Sequence, residues 1–171
     1  MEERTAAVTM KGHPLTLLGK ELKVGEPAPD FEVLDNDLNP VRFSDYSGKV
    51  CVVSSVGSLD TATCDMETRR FNDEASKLGS DVVILTISMD LPFAQKRWCG
   101  AAGVDRVITL SDHRRAEFGS AYGVLIKESR LLARAVFAVD RSGIIRYIQL
   151  VKEIADEPDY DAVIEAVKKL L

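Results

Sequence analysis

Cys64 stands where a β-branched run, "VCVVSSV" from Val50 to Val56, gives way to a charged, helix-like segment, "TATCDMETRRFN". Thr61 or Asp60 can cap that helix, which puts Cys64 in its first turn. There the unpaired backbone N–H groups and the positive end of the helix dipole favour an anion over a neutral thiol. A thiolate is the nucleophilic form of cysteine, so such a position can turn the residue into a reagent. Asp65 and Glu67, read as sharing that first turn, oppose the effect, and a nearby guanidinium is then required to overcome them. Cys64 also lies seven residues before Phe71, on the core-facing side of the helix. Position alone leaves a packed thiol and a reactive one both open.

The remaining candidates divide in the same way. Cys99, between Trp98 and Gly100 at the end of the next helix, is by itself a structural residue. Paired with Cys64 it could close an internal disulfide if a helix end loosened, and Gly100 and Gly103 make local unravelling cheap. Cys51, inside the apolar run, reads as core. Arg134 interrupts "LLARAVFAVD", read as one apolar strand, so it is either an end-of-strand salt bridge or the guanidinium that Cys64 needs. Arg69 and Arg70 fall off the face of Cys64 and read as solvated. His113 reads as exposed near a helix start, and Asp35, Asp37, Asp156 and Glu157 as surface turns. No C-x-x-C pair, zinc spacing, glycine-rich phosphate loop or G-x-S-x-G elbow occurs. That weakens dithiol, metal, nucleotide and serine-hydrolase readings, and no metal or bound cofactor is expected.

The elements that must position these residues follow from periodicity. "TAAVTM" and "PLTLL" flank "KGH" as an N-terminal hairpin over about 4–19, and Pro27 and Pro29 favour an extended approach. Val50–Val56 and Asp81–Ser88 are continuous apolar runs, as in strands buried on both faces. Thr61–Leu78 reads as a helix stopped by Gly79, and a second helix starts near Pro92. "RVITL" is a short strand, "DHRRAEFGSAYG" a short helix, and "LLARAVFAVD" and "IIRYIQL" a second hairpin about Gly143. The last segment is an amphipathic helix with Ala162, Val163, Ala166, Val167 and Leu170 on one face. The order predicts an α/β fold with a mixed central sheet and helices on both faces, in a single domain spanning 1–171.

Composition narrows the partners. The chain has 171 residues and a formal net charge of -5, with no basic run, so nucleic acid and anionic membranes are poor partners. "MEERTAAVTMKG" has no apolar signal core and no run approaches a membrane span, which makes a cytoplasmic location the expectation.

Four segments, "SLDTATCDMETRRFN", "SMDLPFAQKRWCGAAG", "LLARAVFAVD" and "QLVKEIADEPDY", resemble bacterial thiol peroxidases. In this branch of the peroxiredoxins both working cysteines usually belong to one subunit. The resemblance spans Ser58 to Tyr160, and the N-terminal hairpin also fits. It implies a thioredoxin-like fold, Cys64 as the peroxidatic cysteine, Cys99 as the resolving cysteine, and Thr61 and Arg134 at the peroxide site. It further implies a hydroperoxide substrate, thioredoxin as reductant and a homodimer. One position departs from the family: a proline normally sits four residues before the threonine, where this chain has Gly57. A more open pocket motivates an alternative in which Cys64 oxidation is a signal to a partner and turnover is weak.

Overall fold

Val50–Ser55 shows no polar alternation because both of its faces are buried. Val50 and Val52 enter one apolar cluster, and Cys51 and Val53 enter another on the opposite face. The computed structural model describes residues 1–171. Its order is β1 (Glu3–Met10), β2 (His13–Leu18), β3 (Glu32–Leu34), β4 (Pro40–Arg42), a 3-10 turn (Phe43–Tyr46) and β5 (Val50–Ser55). Then come α1 (Ala62–Leu78), β6 (Val82–Ser88), α2 (Pro92–Ala102), β7 (Val107–Ser111) and α3 (Glu117–Ala121). The chain closes with β8 (Leu125–Ile126), β9 (Ala135–Val139), β10 (Ile145–Leu150) and α4 (Tyr160–Lys168).

The main sheet has the order β10-β9-β5-β6-β7-β3-β4. β5, β6 and β7 run parallel, while β9 pairs antiparallel with β5, and β10 with β9. The predicted mixed sheet is thus present, and this is a thioredoxin-like architecture. α1 and α4 cover one face through Phe71, Ala75, Val163 and Val167. On the other face α3 and a small sheet, β1-β2-β8, close over Phe31, Leu85, Phe118 and Tyr122.

The N-terminal hairpin is attached by backbone contact. A Cβ at Gly19 would lie 2.1 Å from the Ser120 carbonyl oxygen, and one at Gly123 would lie 2.4 Å from that of Lys20. Both glycines also have positive φ, 102° and 67°, so any side chain there is excluded twice over. Arg4 reaches across the same junction to the Gly123 carbonyl.

Three sequence expectations change. Leu131–Arg134 is not part of β9: the Ala133 N–H bonds the Val124 carbonyl at 2.8 Å, which ties this stretch to the hairpin side before the strand begins. Arg134 therefore precedes the strand instead of interrupting it. β3, β4 and β8, of two or three residues each, were too short to leave a periodic trace, and β8 extends the predicted hairpin to three strands. His113 is half-buried, because its backbone turns inward after β7 to the Ser111 hydroxyl.

Candidate active site around Cys64

The turn between β5 and α1 is pinned before the helix starts. Asp90, after β6, accepts from the Ser58 hydroxyl at 2.7 Å and the Leu59 N–H at 2.9 Å. Thr61 is the N-cap: its extended backbone lets the hydroxyl oxygen accept from the Cys64 N–H at 3.4 Å. The same hydroxyl donates to the Ser58 carbonyl at 2.9 Å. Cys64 is thereby fixed at the third helical position, among the unpaired N–H groups of the first turn. Its side chain is 1% exposed and packs against Val56, Leu59 and Trp98.

Arg134 supplies the cation. The residue is 4% exposed, and it lines the same cleft as Cys64. Burial works against its charge, but Glu67 and Cys64 together outweigh burial and raise its pKa above the ordinary value. Two bonds to the Ile154 carbonyl, at 3.3 Å from Nε and 3.0 Å from Nη2, orient the fork, and Nη1 pairs with Glu67. Glu67 is fully buried, and its other oxygen accepts from Ser54 at 3.0 Å. Burial outweighs the pull of Arg134 and Ser54 and raises the Glu67 pKa, while one carboxyl oxygen meets Ser54 and the other Arg134.

Glu67 overturns a sequence expectation. It sits in the second turn of α1, not the first, and points at Arg134 as its counter-ion instead of simply opposing charge at Cys64. The Ile154 carbonyl, Ser54 and Asp90 were also missed. A backbone carbonyl leaves no mark on the sequence, and a serine in an apolar strand reads as a small filler. Glu67 had a usable signal: three residues after Cys64 it shares that residue's helix face, which is buried.

Cys64, Thr61 and Arg134 open onto one cleft of about 420 Å3, walled by apolar residues that include Met10, Leu15, Ile126 and Leu131. Gly57 lies at its edge; a Cβ there would meet only the Leu132 carbonyl oxygen, at 3.8 Å. Cys99 is not brought into this cleft. Its thiol lies 3.2 Å from the Thr109 hydroxyl, on the β7 side of α2, and all three cysteines are free. Cys51 is core as expected, and burial pushes its thiol up to about 11. Arg69 and Arg70 are exposed but not simply solvated: Arg69 binds Asp65, and Arg70 binds Glu74 and stacks on Tyr160. The arrangement can hold a thiolate against a guanidinium and a hydroxyl, with room for a small oxidant.

The fold is thioredoxin-like, and the model of the family described as Redoxin matches residues 23–164. A thiol peroxidase of Oceanobacillus iheyensis is 59% identical over 162 residues, covering 95% of this chain and 98% of that one. A thiol peroxidase of Bacillus subtilis is 55% identical over 166 residues, covering 97% and 99%. The crystal structure of a peroxiredoxin-like protein from Aquifex aeolicus superposes with a TM-score of 0.91 at 43% identity, covering 98% and 99%. The chain belongs to the Redoxin family, among its thiol peroxidases.

Proposed function

We propose that the chain, a thiol-dependent peroxidase, reduces hydrogen peroxide and organic hydroperoxides with Cys64 as the peroxidatic residue. The observation that carries the reading is Cys64 at the third position of α1, bonded to Thr61 and lining one cleft with the buried Arg134. The Cys64 thiolate attacks one peroxide oxygen, the O–O bond breaks, and the product is Cys64 sulfenic acid with an alkoxide or hydroxide that takes a proton from water. Arg134 and N–H groups of the first turn stabilise the charge moving onto the departing oxygen, joined by the Thr61 hydroxyl once its proton turns from the Ser58 carbonyl. Cys99 then acts as the resolving residue: its thiol displaces water from the sulfenic acid and forms an internal disulfide. An external dithiol of the thioredoxin type restores both thiols by exchange.

The cysteines' separate surroundings mean that a helix end must open in each cycle, since disulfide geometry needs their Cα atoms within about 7 Å. We read 1–171 as one functional domain that works in the cytoplasm as a homodimer. No helix is long and apolar enough to cross a membrane.

One equivalent of hydroperoxide added to the reduced protein should remove two thiols, with a Cys64–Cys99 disulfide in the peptide map. Cys64→Ser should abolish the loss, and Cys99→Ser should stop at the sulfenic acid. If Cys64 reacts no faster than free cysteine, the reading fails. Sustained peroxide consumption with thioredoxin and its reductase separates an enzyme from a sensor whose oxidation is only a signal.

A further inference from the structure

The residue after Cys64 is tied to the residue before Cys99. Asp65 Oδ1 accepts from the Trp98 indole N–H at 2.7 Å, and Asp65 Oδ2 accepts from Arg69 Nε at 2.9 Å. The Arg69 guanidinium lies 5.7 Å from the centre of the same indole and donates to the Ala102 carbonyl at 3.3 Å, in the last turn of α2. These three side chains knot the start of α1 to the end of α2. The indole also forms part of the apolar cover on Cys64.

Helix geometry makes the knot an obstacle. Consecutive residues of a helix point about 100° apart. While Trp98 faces α1, Cys99 faces Thr109 and Asn36 instead. The side of α2 on which Cys99 must be presented is the side that the indole occupies. Cys99 cannot reach the Cys64 sulfur until Trp98 gives up Asp65 and leaves.

We propose that the Asp65–Trp98 hydrogen bond, backed by Arg69, is a latch that sets how fast the two cysteines join, and thereby how Cys64 sulfenic acid divides between two fates. The inference rests on the proposed roles of Cys64 and Cys99. In one fate Cys64–SOH and the Cys99 thiol give the disulfide and water. In the other, a second hydroperoxide transfers an oxygen to the sulfenate, leaving a sulfinate and an alcohol. A firm latch keeps the cleft assembled longer and favours the second fate at high peroxide; a weak one favours the first. Asp65, Trp98 and Arg69 are positioning residues: they act on the timing of resolution.

The test is rapid-quench mass analysis of wild type, Trp98→Phe, Asp65→Asn and Arg69→Gln at rising peroxide. Trp98→Phe keeps an aromatic ring beside Cys64 but removes the N–H together with the second ring of the indole. Asp65→Asn, which leaves the indole whole, separates the hydrogen bond from the lost cover. Trp98→Phe should form the disulfide about tenfold faster, the scale of a hydrogen bond to a charged acceptor, with a matching fall in sulfinate. Asp65→Asn keeps an acceptor without the charge and should fall between wild type and Trp98→Phe, as should Arg69→Gln on its exposed side chain. In wild type and in the Asp65 and Arg69 variants, emission from Trp98, the only tryptophan, should change in the same phase as disulfide formation. Urea unfolding checks that each variant is folded; a merely structural role would lower stability without moving the disulfide-to-sulfinate ratio. Wild-type ratios in all folded variants, or slower disulfide formation, overturn the latch. A wild type that never forms the Cys64–Cys99 disulfide overturns the proposed resolution step and the latch with it.

Discussion

Arg134 and Glu67 form an ion pair sealed from water, joining the approach to β9 to the second turn of α1. Each is also hydrogen-bonded elsewhere, to the Ile154 carbonyl and the Ser54 hydroxyl, so neither charge is left bare. Removing one partner of such a pair is far costlier than the net worth of the pair. Glu67→Ala should therefore destabilise by about 3–5 kcal/mol. Glu67→Gln, which still accepts from Ser54, should cost less. Both should lower kcat/KM for hydroperoxide by freeing the guanidinium to turn. Urea unfolding with steady-state kinetics checks this; an active Glu67→Ala of native stability would refute the bridge's importance.

Thr61 has two tasks in one hydroxyl, capping α1 and lining the cleft. Thr61→Val loses both and should cost about 1 kcal/mol of stability. Because the hydroxyl must turn from the Ser58 carbonyl to donate to the departing oxygen, the reaction of Cys64 with peroxide should slow by less than the roughly hundredfold lost with a preorganised donor. Thr61→Ser restores the cap and most of the rate. Stability without the rate in Thr61→Ser would show that the methyl group matters more than the hydroxyl.

Gly57 is glycine without backbone necessity. Its φ is not in the left-handed region, a Cβ would be uncrowded, and its N–H donates to no partner. Gly57→Pro removes no backbone hydrogen bond and should fold. By adding a ring at the edge of the cleft it should narrow the mouth. Relative to hydrogen peroxide, kcat/KM for cumene hydroperoxide should drop roughly tenfold, the scale of one misplaced methylene in an apolar pocket. Equal effects on both substrates would mean that Gly57 does not select for size.

Asp112 gives the fold a pH dependence of unusual sign. It is 2% exposed and accepts from the N–H groups of Phe118 at 3.1 Å and Gly119 at 2.8 Å. Burial outweighs those donors and raises its pKa from 3.8 to about 6. A folded value above the unfolded one means that the folded state holds its proton more tightly. This contribution is complete below about pH 4 and is lost as pH rises through about 6. The shift corresponds to roughly 2–3 kcal/mol. Asp112→Asn should remove it, so the stability difference between wild type and variant, from urea titrations at pH 4 and 7.5, should move by that amount against wild type.

The sequence carried the framework well, because β5, β6 and α1 are long and their burial is periodic or continuous. It carried Thr61 and Cys64 equally well, since a cap and a first-turn residue are local features. What connects them to the rest is not local. Arg134 could be singled out as a charge in apolar surroundings, yet its partner Glu67 lies 67 residues away in sequence. The Ile154 carbonyl has no side-chain signature at all. Cys99 was legible as a cysteine near loosening glycines, but the turn of its thiol toward the buried Thr109 depends on which face of α2 meets α1. The tie between Asp65 and Trp98 decides that face.

The glycine contact between the hairpin and α3 has a mechanical meaning. Backbone rests on backbone at Gly19 and Gly123, and the Arg4 guanidinium ties the same junction. Met10 and Leu15, carried by that hairpin, form one wall of the cleft, while Thr61 and Cys64 belong to the helix side. The molecule is built like a vice with one fixed jaw. Adjustment to a ligand, and the opening that the proposed disulfide demands, falls to the helical jaw, where the end of α2 is fastened to α1 by two hydrogen bonds and one cation–π contact.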